Sequence, residues 1–311
     1  MDVAREALRE LEPLGDDKAL AAAWALAGQG ENLRGTWEGV AAALEHVVEH
    51  ARRAGERARA TEALHLLSAG IFWGPTPLAT GLPRAEAMLR DARGDRWLES
   101  WLMRPVIGFY AMQGRFEEAR ELVALAHSTL DELGQPLYLA TLAFWSGPLE
   151  TLAGDVVAAE RELGAACDVF QAAGEQGWLS TMSGFHAVAL DALGRVEEAE
   201  EAVRVSKDAA TSDDYNAQAF WRWGEAKVLA RRGRFDEAER IGREAVAWID
   251  RSDELNNQAW VRMGLVDVLR LAQRPADARE VLSEAIARFE QKGNEVMTDK
   301  ARALFDELPA R

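Results

Sequence analysis

The chain has 311 residues, 48% of them hydrophobic and 28% charged, with a formal net charge of −16. That mixture suits a folded chain rather than a disordered one, and no apolar run approaches the ~18–20 residues that a membrane span requires. With 52 acidic against 36 basic residues and no cluster of basic ones, nucleic acid and anionic membranes are poor partners, while a lone Cys167 suits a reducing cytoplasm.

The start, Met1-Asp2-Val3-Ala4-Arg5-Glu6, has no basic segment followed by an apolar block, so no secretory signal is expected. Val3, Ala7, Leu8 and Leu11 predict a short capping helix. Beyond it one phrase returns at a nearly fixed interval. Gly114-Arg115-Phe116-Glu117-Glu118-Ala119 recurs as Gly194-Arg195-Val196-Glu197-Glu198-Ala199 and as Gly233-Arg234-Phe235-Asp236-Glu237-Ala238. Weaker copies open at Gly154-Asp155 and at Gln273-Arg274-Pro275. The steps from Gly114 through Gly154, Gly194 and Gly233 to Gln273 are 40, 40, 39 and 40 residues, and backward extrapolation reaches Gly74 and Gly35. A period of this size marks units that bury their faces only by stacking on neighbours.

Each unit reads as two helices hinged at the glycine, where positive φ carries no Cβ clash. The acidic pair after the hinge sits at a helix N-terminus, which favours negative charge. In unit one, His46-Val47-Val48-Glu49-His50 fits the H-x-x-E-H zinc pattern. Leu44, Val47 and Val48 claim the inward face there and no third ligand is identifiable, so the pair reads as a solvated flank. Gly74-Pro75-Thr76-Pro77 reads as an irregular connector or a distorted second helix of unit two. Cys167 reads as a small buried hydrophobe and His186 as a packing residue. Glu197 to Glu201 reads as a solvated helix face.

Unit six is the clearest: a first helix over 213–232, a turn at Gly233 and a second helix over 235–250. Unit seven follows with a helix over about 254–272 and Pro275 at the first position of the next, where its missing N–H costs little. Residues 294–308 carry Met297, Ala301, Leu304, Phe305 and Leu308 on one face and predict a capping helix. No Ser/Gly linker interrupts the chain, so residues 1–311 are expected to form one continuous repeat domain.

Trp24, Gly28 and Gly35, with an Ala five residues after hinges such as Gly114, Gly194 and Gly233, resemble tetratricopeptide repeats. The segments Ile71-Phe72-Trp73-Gly74-Pro75-Thr76-Pro77, Arg231-Arg232-Gly233-Arg234-Phe235-Asp236-Glu237-Ala238-Glu239-Arg240 and Val268 to Pro275 resemble a narrower group. It is the C-terminal repeat region of large bacterial regulators that join an adenylate/guanylate cyclase or DNA-binding domain to an ATPase. No G-x-x-x-x-G-K-[ST] phosphate loop occurs, so the ATPase module is not part of this sequence. The resemblance implies an all-α, right-handed α-solenoid of about seven tetratricopeptide-like helix pairs with terminal capping helices. It also implies a non-catalytic, cytoplasmic binding protein without cofactor.

Carrying the tetratricopeptide register across places a stripe on the concave face: Trp101, Arg104, Thr141, Phe144, Thr181, Phe220, Trp223, Lys227, Trp260, Met263 and Asp267. Eleven tryptophans are a heavy load, most of them expected in the core, but Trp221 and Trp223 point roughly 200° apart on one helix. One of that pair is expected in the seam and the other in the groove or solvent. An aromatic stripe with isolated charges suits a peptide, a partner protein or a small effector. The alternatives are a self-associating module, forming a homodimer without a ligand, and an enzyme with the histidine pair as its metal site.

Overall fold

The computed structural model of the protein describes residues 2–309; Met1, Ala310 and Arg311, at the ends of the expected 1–311 domain, lie outside the described residues. Among the described residues every regular element is a helix. Helix α1 (Asp2–Leu11) leads through a short 3-10 turn into seven successive helical units. Unit one is α2 (Asp17–Asn32) with α3 (Trp37–Arg53), and unit two is α4 (Arg57–Trp73) with α5 (Leu78–Asp91). Unit three is α6 (Arg96–Met112) with α7 (Phe116–Glu132). Unit four has a first helix in two pieces, α8 (Pro136–Ala140) and α9 (Ala143–Ala153), followed by α10 (Val156–Ala173). Units five to seven are α11 (Gln176–Ala192) with α12 (Val196–Ala209), α13 (Tyr215–Arg231) with α14 (Phe235–Ile249), and α15 (Leu255–Leu271) with α16 (Pro275–Lys292). Helix α17 (Glu295–Glu307) caps the stack.

The repeated phrase has a packing reason. Ala119, Ala159, Ala199, Ala238 and Ala278 are each 0% exposed, at the same place in successive second helices. A larger side chain there would separate two helices that now touch. The hinge before each alanine needs a left-handed residue: Gly233 has φ 75, and in unit seven Gln273 takes φ 60 in its place. A second set of left-handed glycines, offset by half a repeat, closes turns between units at Gly15, Gly55, Gly94, Gly134, Gly174 and Gly293. Unit two departs from the pattern. Gly74 has φ −69 and ψ −172, so the chain leaves α4 extended through the Gly-Pro-Thr-Pro connector.

First and second helices bury differently. Helices α6, α13 and α15 bury side chains around most of their circumference, because they face both their own partners and the inside of the superhelix. Helices α12 and α14 bury one stripe only, and their outer faces carry ion pairs such as Arg204–Glu201 and Arg234–Glu237. The run Glu197 to Glu201 is part of this outer face, with Glu197 and Glu200 paired to Arg232.

The superhelix closes on itself. The carboxylate of Asp253, between units six and seven, accepts hydrogen bonds from the backbone N–H of Trp37 and of Glu38, both at 2.9 Å. It thereby caps α3, whose own N-cap Thr36 makes no side-chain cap bond. The Asp253 N–H donates back to the Gly35 carbonyl at 3.0 Å. Further along, the Lys292 ammonium donates to the carbonyls of Gly74 (2.7 Å) and Thr76 (2.8 Å), and Lys300 donates to that of Leu152 (2.7 Å). The last unit and its cap are thus bonded to units one, two and four.

Candidate functional site

Closure leaves a central cavity of about 530 Å³. The inner faces of α4, α6, α9, α11 and α13 line it, together with the α2–α3 turn and the start of α15. Its most unusual group is Arg104 on α6, 3% exposed and without a carboxylate partner among the described residues. The break in unit four supplies its acceptors. Where α8 ends and α9 has not begun, the Tyr138 carbonyl accepts from Arg104 Nη2 at 2.9 Å and Thr141 Oγ1 accepts from Nη1 at 2.8 Å. The guanidinium lies 3.7 Å from the centre of the Trp101 ring, which also meets His65 at 3.6 Å between ring centroids. Burial lowers Arg104 to about 9. Burial, and then the charge of Arg104, push His65 down to about 3, so the imidazole is neutral at physiological pH.

The lining also holds four acidic residues, Glu175, Asp213, Asp214 and Glu254. Glu175 spends both oxygens on the N-terminus of α11, and Asp214 caps α13 through Oδ1. Glu254 is fully enclosed. Its Oε1 accepts from Trp37 Nε1 (2.8 Å), Tyr215 Oη (2.8 Å) and Asn216 Nδ2 (2.9 Å), while Oε2 accepts from Asn257 Nδ2. Burial raises its pKa against the pull of these four donors. The same carboxylate therefore borders the cavity and holds the ring shut at Trp37. Among the described residues, the buried side-chain polar atoms without a partner are Trp101 Nε1, Arg104 Nε, Asn216 Oδ1 and Trp223 Nε1; Trp101, Arg104 and Asn216 belong to the cavity wall.

Of the stripe read from the sequence, Trp101, Arg104, Thr141, Phe144, Thr181 and Phe220 line this cavity. Phe144 also borders a smaller, apolar cavity of about 70 Å³, where Trp223 and Trp260 lie. Met263 packs into the core. Lys227 and Asp267 bond to each other at 2.6 Å, and Lys227 also reaches Asp191 at 3.2 Å, which Arg231 holds at 2.8 Å. These charges tie α11, α13 and α15 together and pair Lys227 with two carboxylates.

The expected division between Trp221 and Trp223 needs correction, because both are buried. Trp221 does point away from Trp223, but Arg222 and Lys207 cover its ring at 4.0 and 4.4 Å. Long cationic side chains shield a flat apolar face in this way.

The histidines of unit one do not converge. His46 stacks on Trp24 at 4.0 Å, and His50 Nδ1 bonds Asp17 at 2.7 Å, which makes His50 half-buried rather than solvated. His186 meets Glu160 at 3.2 Å, and the Cys167 thiol, pushed up to about 11 by burial, faces Ser183.

Sequence reasoning missed His65, Tyr215, Asn216 and Glu254. One signal bears on the last three. The half-repeat glycines step by 39 or 40 residues from Gly15 to Gly174, then fail twice before Gly293. The two places where they fail hold Asp213-Asp214 and Asp253-Glu254, the loops that line the cavity and latch the ring.

Residues 217–291 match a tetratricopeptide-repeat family model. The chain is a tetratricopeptide-like α-solenoid. No curated protein matches its sequence significantly. Among solved structures, this solenoid superposes on NprR in complex with its cognate peptide NprX with a TM-score of 0.60 and 13% identity, covering 89% of this chain and 84% of that one. It superposes on a Rap protein complexed with Competence and Sporulation Factor with a TM-score of 0.58 and 15% identity, covering 93% and 74%. BtubC from P. vanneervenii gives a TM-score of 0.50 and 15% identity, covering 75% and 94%.

Proposed function

We propose that this solenoid is a non-catalytic receptor that takes a peptide, a segment of a partner protein or a small effector into its central cavity. One observation carries the reading: the inner helices of units two to six converge on a cavity of about 530 Å³ whose buried wall leaves Trp101 Nε1, Arg104 Nε and Asn216 Oδ1 without partners. Buried polar groups are ordinarily satisfied, and an orphaned set in a cavity is what a ligand would complete. Two fold neighbours bear on the ligand class, since the NprR and Rap structures are each of a complex. The resemblance to repeat regions of cyclase- or ATPase-containing regulators suggests the role: a bacterial, cytoplasmic sensor whose occupancy biases an effector module. Glu254 offers a route, because a ligand that touches it acts on the residue that holds Trp37 and the ring closure.

Intrinsic tryptophan fluorescence, titrated against a panel of metabolites and short peptides, tests this. The reading expects a saturable change in the wild-type protein that Thr181→Phe, which fills the cavity from α11, abolishes without loss of helicity. No change across the panel, together with a concentration-dependent dimer, would replace the receptor by the self-association module.

A further inference from the structure

Among the described residues, buried charged groups have partners of opposite charge or a full set of hydrogen bonds, with one exception. Arg262 pairs with Asp250 at 2.7 Å and Glu284 at 2.9 Å. Lys227 has Asp191 and Asp267, Glu150 has Arg120 at 2.6 Å, and Glu254 has its four donors. Lys292 fills its three N–H bonds with main-chain carbonyls. Among the buried charged side chains of the described residues, Arg104 alone has a polar atom, Nε, with no hydrogen-bond partner, at 3% exposure and on the wall of the central cavity. Beside it the Trp101 indole N–H is unused as well.

We propose that Arg104, with the Trp101 N–H beside it, is the seat for a single carboxylate carried on an apolar body. This rests on the receptor reading and specifies the ligand class for it. A guanidinium out of water gains most from an oxyanion that accepts its free N–H, and a bond between two charged groups is about twice as strong as a neutral one. The remaining charges decide which oxyanion. Glu175, Asp213, Asp214 and Glu254 line the same cavity, so a doubly charged phosphate meets repulsion that a singly charged carboxylate halves. The apolar body follows from the rest of the wall. Leu33 is 76% exposed and Trp178 46% exposed where they border the cavity, and Trp178 meets Phe144 edge-on at 5.0 Å. A peptide C-terminus bearing an apolar residue and a free aryl or alkyl acid both have this chemistry.

Isothermal titration calorimetry on the full chain separates the cases with five probes: 3-phenylpropanoate, N-acetyl-leucyl-phenylalanine, the amide of each, and phenyl phosphate. The proposal expects at least one acid to bind and its amide to bind roughly 30-fold or more weakly, as for loss of a buried charged hydrogen-bond partner. Arg104→Met abolishes the preference of acid over amide, and Arg104→Lys, which keeps the charge but not the fork, retains part of it. Binding of the peptide acid alone identifies a peptide end; binding of 3-phenylpropanoate alone identifies a free organic acid. The acid–amide comparison needs only the wild-type protein, so it stands even if a variant fails to fold. The proposal is overturned by amides equal to acids, by no binding of either acid, by undiminished acid binding to a folded Arg104→Met protein, or by tighter binding of phenyl phosphate than of the acids. A panel ligand that binds wild-type and Arg104→Met protein equally, and is lost in Thr181→Phe, sinks the carboxylate seat while leaving the receptor standing.

Discussion

Units six and seven and units two and four are made to the same plan and use it differently. In the former pair the helices are continuous, the alanine beneath the hinge is fully buried, and charged residues such as Lys227 and Asp267 pair with each other. The family model finds its match there, over 217–291. Unit two replaces its hinge with an extended Gly-Pro-Thr-Pro connector, and the carbonyls left free receive Lys292. Unit four breaks its first helix at Thr141-Leu142, and the carbonyl left free at Tyr138 receives Arg104. Where a repeat is irregular, its backbone is available to another part of the chain, and both the Lys292 tie and the candidate seat are built on that availability.

The largest effect should come from the ring closure itself. Glu254→Leu orphans donors on Trp37, Tyr215, Asn216 and Asn257 at once, and about 3–5 kcal/mol of unfolding free energy should vanish in a urea titration. A loss below 1 kcal/mol would mean the ring does not need its latch.

Next comes a test inside the regular units. A Cβ on Gly264 would lie 1.9 Å from Trp223 Nε1, so Gly264→Ala forces the indole aside and should destabilise by about 1–3 kcal/mol. The Arg104 chemistry should be untouched. If this substitution alters binding at the central cavity as much as Arg104→Met does, the division between frame and site fails.

The connector of unit two gives a pH signature. Burial pushes Lys292 from the ordinary 10.5 down to about 7. Between those values the unfolded chain holds a proton that the native chain has released, so this group makes stability rise with pH from about 7 towards 10.5. Subtracting the Lys292→Met profile from the wild-type one should leave a positive slope over that range; a flat difference would show Lys292 titrating as it does in the unfolded chain.

His65 does the same on the acid side. Its pKa falls from 6.5 to about 3 in the folded protein, so the stability it contributes is complete above pH 6.5 and is lost as pH drops towards 3. His65→Asn should have a melting temperature that declines less between pH 6.5 and 4. An unchanged acid limb would place the proton elsewhere. The smallest effect belongs to the outer faces: Arg234→Ala removes an exposed pair with Glu237, and the denaturation midpoint should not move measurably.

The repeat was legible because its cause is local. A left-handed hinge and a fully buried alanine five residues on constrain residue type at fixed spacing, so Gly233 and Ala238 declare a unit without reference to anything distant. The ring closure was illegible because Asp253 and Glu254 act on Trp37 across 216 and 217 residues of sequence, and no periodicity encodes that. The break at Thr141-Leu142 carries no glycine or proline to announce it. Helical register placed Arg104 and Lys227 on one stripe, but register does not record partners. Only the contacts show that Lys227 is paired and Arg104 is not.

Hydrogen–deuterium exchange, with and without the panel compound that changes the tryptophan fluorescence, tests the central claim most directly. The account predicts slowed exchange in α4, α6, α8–α9, α11 and the 211–216 loop, with the latch at Trp37 and Asp253 slowed in step. Protection confined to the outer helices α7, α10, α12 and α14, with the cavity wall unchanged, would contradict it.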